Sequence, residues 1–413
     1  MGQNEFRNWS GSIAFTPSRT VRPTSEREVA RLVRKARRQG RGVRPVGSGH
    51  SSTPLMSTED VLVSLDRMAG VVEADPGQGW AKVLPGTGLR ALGAELAGHG
   101  LAMQNLGDVD YQAIAGAIST GTHGSGVTLG NLSSTLIGGR LVDGEGEIVP
   151  FGMDAGKGEE DPLLRAAQVS LGSLGVLTSL TLRLEPAHQL RRLNWMTHID
   201  WVLENFEELI STNRSVDFYW YPRSDMAQVR MLNKPGEEPQ LMPPGQLKKD
   251  VTGPNYEVIP NDRHLTFEEM EYMLPLDTSL EAFRRVRERV KDRHRAQVGW
   301  RVLVRTIAPD AAMLSNAEAG FRQDRPTMTI ALLQNSTLPF KEYFDDLEPL
   351  FREFRGRPHW GKKHTMKAPQ LRMLYPEWAG FQEIRRSADP DGVFMNDYLR
   401  ELFGEEREDQ KER

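Results

Sequence analysis

Arg44-Pro45-Val46-Gly47-Ser48-Gly49-His50-Ser51 is the stretch on which the fold turns. It follows a β-like run, Gly42 to Val46, and sets two glycines and two serines around one histidine. Glycine lets backbone N–H groups turn toward a phosphate with no Cβ in the way. A histidine in such a loop serves as ligand, base or covalent tether, or is incidental to a Gly-Ser-Gly turn. The octapeptide alone leaves these readings open.

Two further segments share its texture. Asn105-Leu106-Gly107-Asp108 leads into Ala113-Ile114-Ala115-Gly116-Ala117-Ile118-Ser119-Thr120-Gly121-Thr122-His123-Gly124-Ser125-Gly126. Nearly every side chain there is small or hydroxylated. Such residues let backbone lie flat against a planar or extended ligand, with Ser and Thr hydroxyls as donors. Ser170-Leu171-Gly172-Ser173-Leu174-Gly175-Val176-Leu177 then precedes a β run, Thr178 to Leu184. None of the three is a GxGxxG at a strand-to-helix junction, which argues against a Rossmann dinucleotide site.

Around these segments strands and helices alternate. Thr24/Ser25 read as an N-cap, with Glu26 and Glu28 in the first turn of an amphipathic helix carrying Val29, Leu32, Val33 and Ala36 and ending at Gly40. Strands are expected at Val61 to Leu65, Val71 to Glu73 and Trp80 to Leu84, with a helix through Leu89, Leu92 and Leu96. A hairpin turns at Asp143-Gly144-Glu145-Gly146. From about residue 188 the texture changes. Asp217 to Pro222 is an aromatic strand, and Gly236 to Pro260 reads as a loop or mobile cover. Strands around Met270 to Leu274, Val302 to Ile307 and Thr327 to Leu333 alternate with helices through Phe283 and Phe344, which makes a second α+β unit with one sheet. Arg357-Pro358-His359-Trp360-Gly361-Lys362-Lys363-His364 gathers two histidines, a tryptophan and two lysines.

Composition narrows the function. A net charge of −4 gives no basic footprint for nucleic acid. With no cysteine there is no disulfide, no thiolate metal site and no cysteine tether to a cofactor, and no metal site is expected. The first residues lack an apolar signal core, and no run reaches the ~18 apolar residues of a membrane span. A cytoplasmic protein is the expectation.

In this order the motifs resemble the FAD-linked aldonolactone/alditol oxidase family of the vanillyl-alcohol oxidase superfamily, the L-gulono-1,4-lactone dehydrogenase/oxidase and D-arabinono-1,4-lactone oxidase type. The resemblance rests on Val46 to Ser51, Gly107-Asp108 through Gly126, Ser170 to Val176, Met270-Glu271-Tyr272 and Arg357 to Lys362, and runs from about Asn8 to Phe403. It implies an α+β fold: a two-subdomain FAD-binding domain over residues 8–187, a substrate cap with an antiparallel sheet over 188–355, a segment returning to the flavin over 356–403, and a charged tail over 404–413. By the family pattern His50 carries FAD covalently, and the backbone of Arg44, Val46, Gly47, Ser48, Gly49 and Ser51 cradles the pyrophosphate. Gly107, Asp108, Ala115, Gly116, Ser119, Gly121, Thr122, His123, Gly124, Gly126, Val176 and His359 surround the rest of the cofactor. Lys362 projects to the reactive edge of the flavin, to polarise a substrate hydroxyl or take its proton. Arg305 is its catalytic partner.

Two departures fall on the substrate side. The family carries Glu-x-Arg on one strand; here Arg305 is preceded two residues earlier by Leu303. The family has His before Gln on the next strand; here Leu333 precedes Gln334. Leu303, Arg305, Leu333 and Glu271 are the expected substrate contacts. The resemblance implies oxidation of a CH–OH group in a sugar lactone, polyol or related alcohol, with O2 or another acceptor completing the cycle. The alternatives are a flavoprotein of altered, less hydroxylated substrate or weak catalysis, and a nicotinamide-dependent flavin reductase.

Overall fold

The computed structural model describes residues 5–261, 265–317 and 325–405. Its first half holds a three-stranded and a five-stranded sheet beside two short two-stranded pairings. Arg19–Val21, Val61–Ser64 and Val43–Val46 form a parallel sheet with Val61–Ser64 in the centre. Helix Glu26–Arg38 covers it with Val29, Val33 and Ala36. The Ser25 hydroxyl accepts from the Glu28 N–H, and a Glu28 carboxylate oxygen accepts from the Thr24 N–H at 2.7 Å, so the helix start is capped from both sides. The second sheet is antiparallel, in the order Ile148–Gly152, Leu136–Val142, Val176–Arg183, Trp80–Val83, Val71–Asp75.

The later half is built on one antiparallel sheet of eight strands. Their order is Gln246–Pro254, Gln189–His198, Met226–Asn233, Ser215–Tyr221, Val302–Ile307, Thr327–Asn335, Phe267–Pro275, Arg357–Pro358. Successive side chains on a strand point to opposite faces. On the four central long strands the even-numbered residues face the helices: Phe218, Val304, Ile330 and Tyr272 join the main core with Phe283 and Phe351 from helices Leu276–Arg289 and Lys341–Glu353. Phe218 and Phe283 meet edge to face with centroids 5.4 Å apart, and Tyr272 stacks on Phe351 at 5.0 Å. The odd-numbered residues, among them Tyr219, Leu303, Arg305, Leu333, Glu269 and Glu271, occupy the opposite face, toward the first half.

One expectation changes here. Gly236 to Pro260 is not a plain loop: it contains the outer strand Gln246–Pro254 and a short helix, Asn255–Val258. That strand pairs on one side only and is largely exposed, so Lys248, Lys249 and Asp250 leave no apolar alternation to read. In the second glycine-rich segment Ile114–Ser119 winds into a short helix that buries Ile114, Ala117 and Ile118. The tail expected from Gly404 lies outside the described residues beyond 405.

The last part of the chain returns to the first. Arg357–Pro358 adds to the sheet edge, and the segment then crosses over: Gly361 accepts from the Ser52 N–H at 2.8 Å, and Val393 accepts from the Val43 N–H at 2.8 Å. No helix among the described residues is long and apolar enough to cross a membrane.

Candidate functional site

The loop after Val43–Val46 walls a cleft of about 420 Å³. Val46, Gly47, Ser48, Gly49, His50 and Ser51 line one side; Ala115, Gly116 and Ser119 face them from the short helix; Gly172 and Gly175 close the end. Two glycines have a visible reason. Gly49 has φ +66°, and a Cβ there would fall 2.8 Å from the Phe6 ring; a Cβ on Gly47 would fall 3.1 Å from Ala113 Cβ. Arg44 also borders the cleft, but its guanidinium is committed elsewhere. Nε donates to Leu55 O at 2.8 Å, Nη1 to Gly172 O at 2.8 Å and to Phe394 O, and Nη2 to Leu171 O at 2.9 Å. Burial pulls its pKa down to about 9. Its side chain ties segments together.

The cleft runs into a smaller cavity of about 60 Å³, and His50, Ser51, Gln112 and Thr120 border both. His50 thus sits at the junction, with Trp9 at 4.6 Å and Tyr111 at 5.2 Å between ring centroids. Gly107, Asp108, Thr122 and His123 line the small cavity from the second glycine-rich segment. Glu269, Glu271, Leu303 and Arg305 line it from the sheet, and His359 and Lys362 from the returning segment. Stretches far apart in sequence therefore meet in one place.

Five expected residues do not line either space. Val176 is fully buried in the core under the first helix, and Leu333 is fully buried beside Tyr219, Phe267 and Leu303. Gly121, Gly124 and Gly126 are packing positions. A Cβ on Gly124 would lie 2.2 Å from Asn105 Oδ1, and one on Gly126, at φ +140°, would lie 2.8 Å from Leu129. Gly121 is at φ +71° in the turn that leads to Thr122.

Charge in the small cavity is paired. Arg305 Nη2 donates to Glu271 Oε1 at 2.5 Å, and Arg305 Nη1 donates to His123 O at 3.1 Å. Burial pushes the Glu271 carboxyl up, but the Arg305 guanidinium outweighs it and holds it well below the usual carboxylate range. Burial pushes the His359 and His123 imidazoles down, so both are neutral near pH 7. His359 Nδ1 accepts from the Gly361 N–H at 3.1 Å. His123 Nδ1 lies 3.0 Å from Gly124 O, which sets the tautomer with a bare Nε2. Ligand atoms of His123, Glu271 and His359 lie within 4.8 Å of one another, a spacing that suits a metal ion. The cation at Glu271 is the Arg305 guanidinium.

Glu269 is the charged residue of the small cavity that the sequence did not single out. It forms an ion pair with Lys362, while Lys363 reaches Glu268 at 3.0 Å. The signal was present in Glu268-Glu269-Met270-Glu271, because carboxylates two apart on a strand share a face. Behind the cavity, Arg230 bonds Asp108 at 2.6 Å and Asp217 at 2.7 Å, and Tyr219 donates to Asp108.

Comparison with known proteins agrees with this layout. A family model described as D-arabinono-1,4-lactone oxidase matches residues 180–253 and 242–402, and one described as FAD binding domain matches residues 17–152. An L-gulono-1,4-lactone dehydrogenase of Mycobacterium tuberculosis is 35% identical, over 97% of this chain and 99% of its own. An alditol oxidase of a Streptomyces species is 30% identical, over 96% and 98%. The crystal structure of cholesterol oxidase from B. sterolicum superposes with a TM-score of 0.84 at 18% identity, covering 97% of this chain and 96% of that one, a likeness of fold. The chain belongs to the FAD-linked oxidoreductases of the aldonolactone-oxidase type, and it is an FAD-dependent oxidase or dehydrogenase acting on CH–OH groups.

The residues present fit that cofactor. Gly47, Ser48 and Gly116 line the cleft with little or no side chain to fill it, and Ser51, Ser119 and Thr120 add hydroxyl donors. The cleft is long and walled by small residues, and its open end meets a compact polar cavity, as a cofactor with a nucleotide end and a reactive ring requires.

Proposed function

We propose that this protein oxidises an amphipathic alcohol, with FAD held in the long cleft and the carbinol in the small cavity. The observation that carries the reading is the convergence of Lys362, Glu269, Arg305 and Glu271 on a cavity that His50 shares with the cleft. Bound FAD would supply the two-electron chemistry, with O2 or another acceptor completing the cycle. The chain's own residues hold the substrate and manage its proton. Lys362 polarises the carbinol oxygen, and Arg305 favours negative charge as it develops. The bare Nε2 of neutral His123 accepts the hydroxyl proton, and neutral His359 adds a polar contact.

The substrate class follows from the other wall. Leu303 lines the cavity, backed by Tyr219, Phe267, Ala331 and Leu333, with Trp9 and Trp300 packed on that cluster. A polyol would leave hydroxyls without partners against these groups, at about 1–3 kcal/mol each. An alcohol with one hydrocarbon or aryl substituent satisfies both walls. Anaerobic reduction of the flavin by a panel of alcohols tests this. Aryl- or alkyl-substituted carbinols are expected to bleach it fastest; a panel led by gulonolactone, galactonolactone or xylitol contradicts the substrate class, and bleaching by NADPH alone contradicts the reaction.

We further propose that FAD is attached through the His50 imidazole. The family pattern at Gly49-His50-Ser51 and the place of His50 at the junction support it. Acid precipitation of the holoprotein is expected to give a yellow pellet, and His50→Ala a colourless one.

A further inference from the structure

Across the sheet face that looks into the cavity, Leu303 stands beside Ala331, and Ala331 beside Glu271. One row along, Leu333 stands beside Glu269. A carboxylate therefore reaches the cavity from the neighbouring strand, next to the row where leucine stands. The Glu269 side chain is 5% exposed and that of Lys362 is 16% exposed, and the two are ion-paired at the cavity wall. The backbone fixes the pairing. His359 N–H donates to Glu271 O at 2.9 Å and Lys363 N–H to Glu269 O at 2.9 Å, so the returning segment is clamped to the strand on both sides of Lys362. The adjacent lysines then divide between adjacent carboxylates, Lys362 to Glu269 and Lys363 to Glu268.

We propose that Glu269 is the positioning carboxylate of the substrate site: it fixes the Lys362 ammonium at the cavity wall and offsets its charge, so that Lys362 meets the reacting oxygen as a hydrogen-bond donor and not as a base. An ammonium has three N–H donors; one is taken by Glu269 and the others remain for the substrate. An unpaired cation buried here would be costly, and the partner carboxylate removes most of that cost. With Glu271 against Arg305 and Glu269 against Lys362, these two pairs are together neutral. Removing one carboxylate leaves an excess positive charge facing the flavin's reactive edge.

This inference rests on the oxidase reading, and its test separates the two. Sulfite, an anion, is titrated into holoprotein and followed by loss of flavin absorbance, with no alcohol present. A uncompensated charge a few ångströms away is worth about a factor of ten or more. Glu269→Gln is expected to bind sulfite about tenfold more tightly than wild type, Lys362→Met about tenfold more weakly, and the double variant within about threefold of wild type. The same Glu269→Gln protein is expected to lose kcat with the best alcohol far more than it changes KM. Sulfite affinity unchanged in Glu269→Gln overturns the proposal. If Glu269→Gln does not load FAD, the charge-retaining Glu269→Asp is compared with Lys362→Met: near-wild-type affinity in the first and weaker affinity in the second support it, and equal values overturn it. If no alcohol reduces the flavin, the oxidase reading fails, while the sulfite series still decides the place of Glu269.

Discussion

Arg230 shows how much charge this protein buries behind its cavity. One guanidinium serves two carboxylates, Asp108 and Asp217, and donates to Ile259 O at 3.2 Å. Burial pushes the Asp217 carboxyl up, and Arg230 is the chief group opposing it. Arg230→Met leaves two buried carboxylates without the guanidinium that bonds both, with only Arg192 acting on them through space. It is expected to destabilise the protein by about 3–5 kcal/mol, read as a lowered urea midpoint. It is also expected to weaken alcohol binding, since Asp108 borders the cavity. Acid sensitivity follows from the two histidines. Buried His123 and His359 are below the ordinary value of 6.5 in the fold and near it when unfolded. The unfolded chain therefore takes up protons first as pH drops, so their stabilisation is complete above about pH 6.5 and declines below it. Melting temperature measured from about pH 8 to about pH 5 should fall, and His359→Asn should flatten that slope. At this scale the sequence was readable where a residue type is rare and sits in a motif, as for His50 and Lys362. It was silent on Glu269, because a glutamate beside two others looks like a solvated surface until the pleat direction is known.

Among the elements, the turn after the short helix Ile114–Ser119 is packed too tightly for a side chain. Gly124 follows His123 directly, and a Cβ there would meet Asn105 Oδ1 at 2.2 Å and Leu106 O at 2.3 Å. Part of that contact is main chain, so the neighbour cannot swing aside. Gly124→Ala is expected to cost about 1–3 kcal/mol and to lower FAD retention, measured by the flavin-to-protein absorbance ratio after gel filtration. The central strands of the large sheet were legible as apolar runs, and Val302–Ile307 has the expected bounds. The period-2 pattern then explains why Leu303 and Leu333 belong to the site face even though only Leu303 reaches the cavity. Gln246–Pro254 was illegible because its pairing with Gln189–His198 is made by backbone, and exposed side chains on an edge strand carry no burial signal.

For the whole molecule, the decisive contacts join stretches that lie far apart in the chain. Arg44 is the clearest: its carbonyl partners belong to residues 55, 171, 172 and 394. Arg44→Met is expected to lower the melting temperature by several degrees and to speed proteolysis within residues 356–405, while Arg44→Lys, with fewer donors in one plane, rescues only part. Such ties are invisible to periodicity, which reports only on near neighbours. The motif order gave the architecture, but the use of each arginine had to come from coordinates.

Arg44 also has a timetable. Its bond to Phe394 spans 350 residues. At a translation rate of roughly 5–20 residues per second, that acceptor leaves the ribosome on the order of tens of seconds after the arginine does. During this interval the nascent first half lacks that acceptor, although the residues that line the cleft, Phe6 to Leu177, are already made. Cell-free synthesis with added FAD is therefore expected to yield more folded protein than synthesis without it, read by flavin content and soluble fraction.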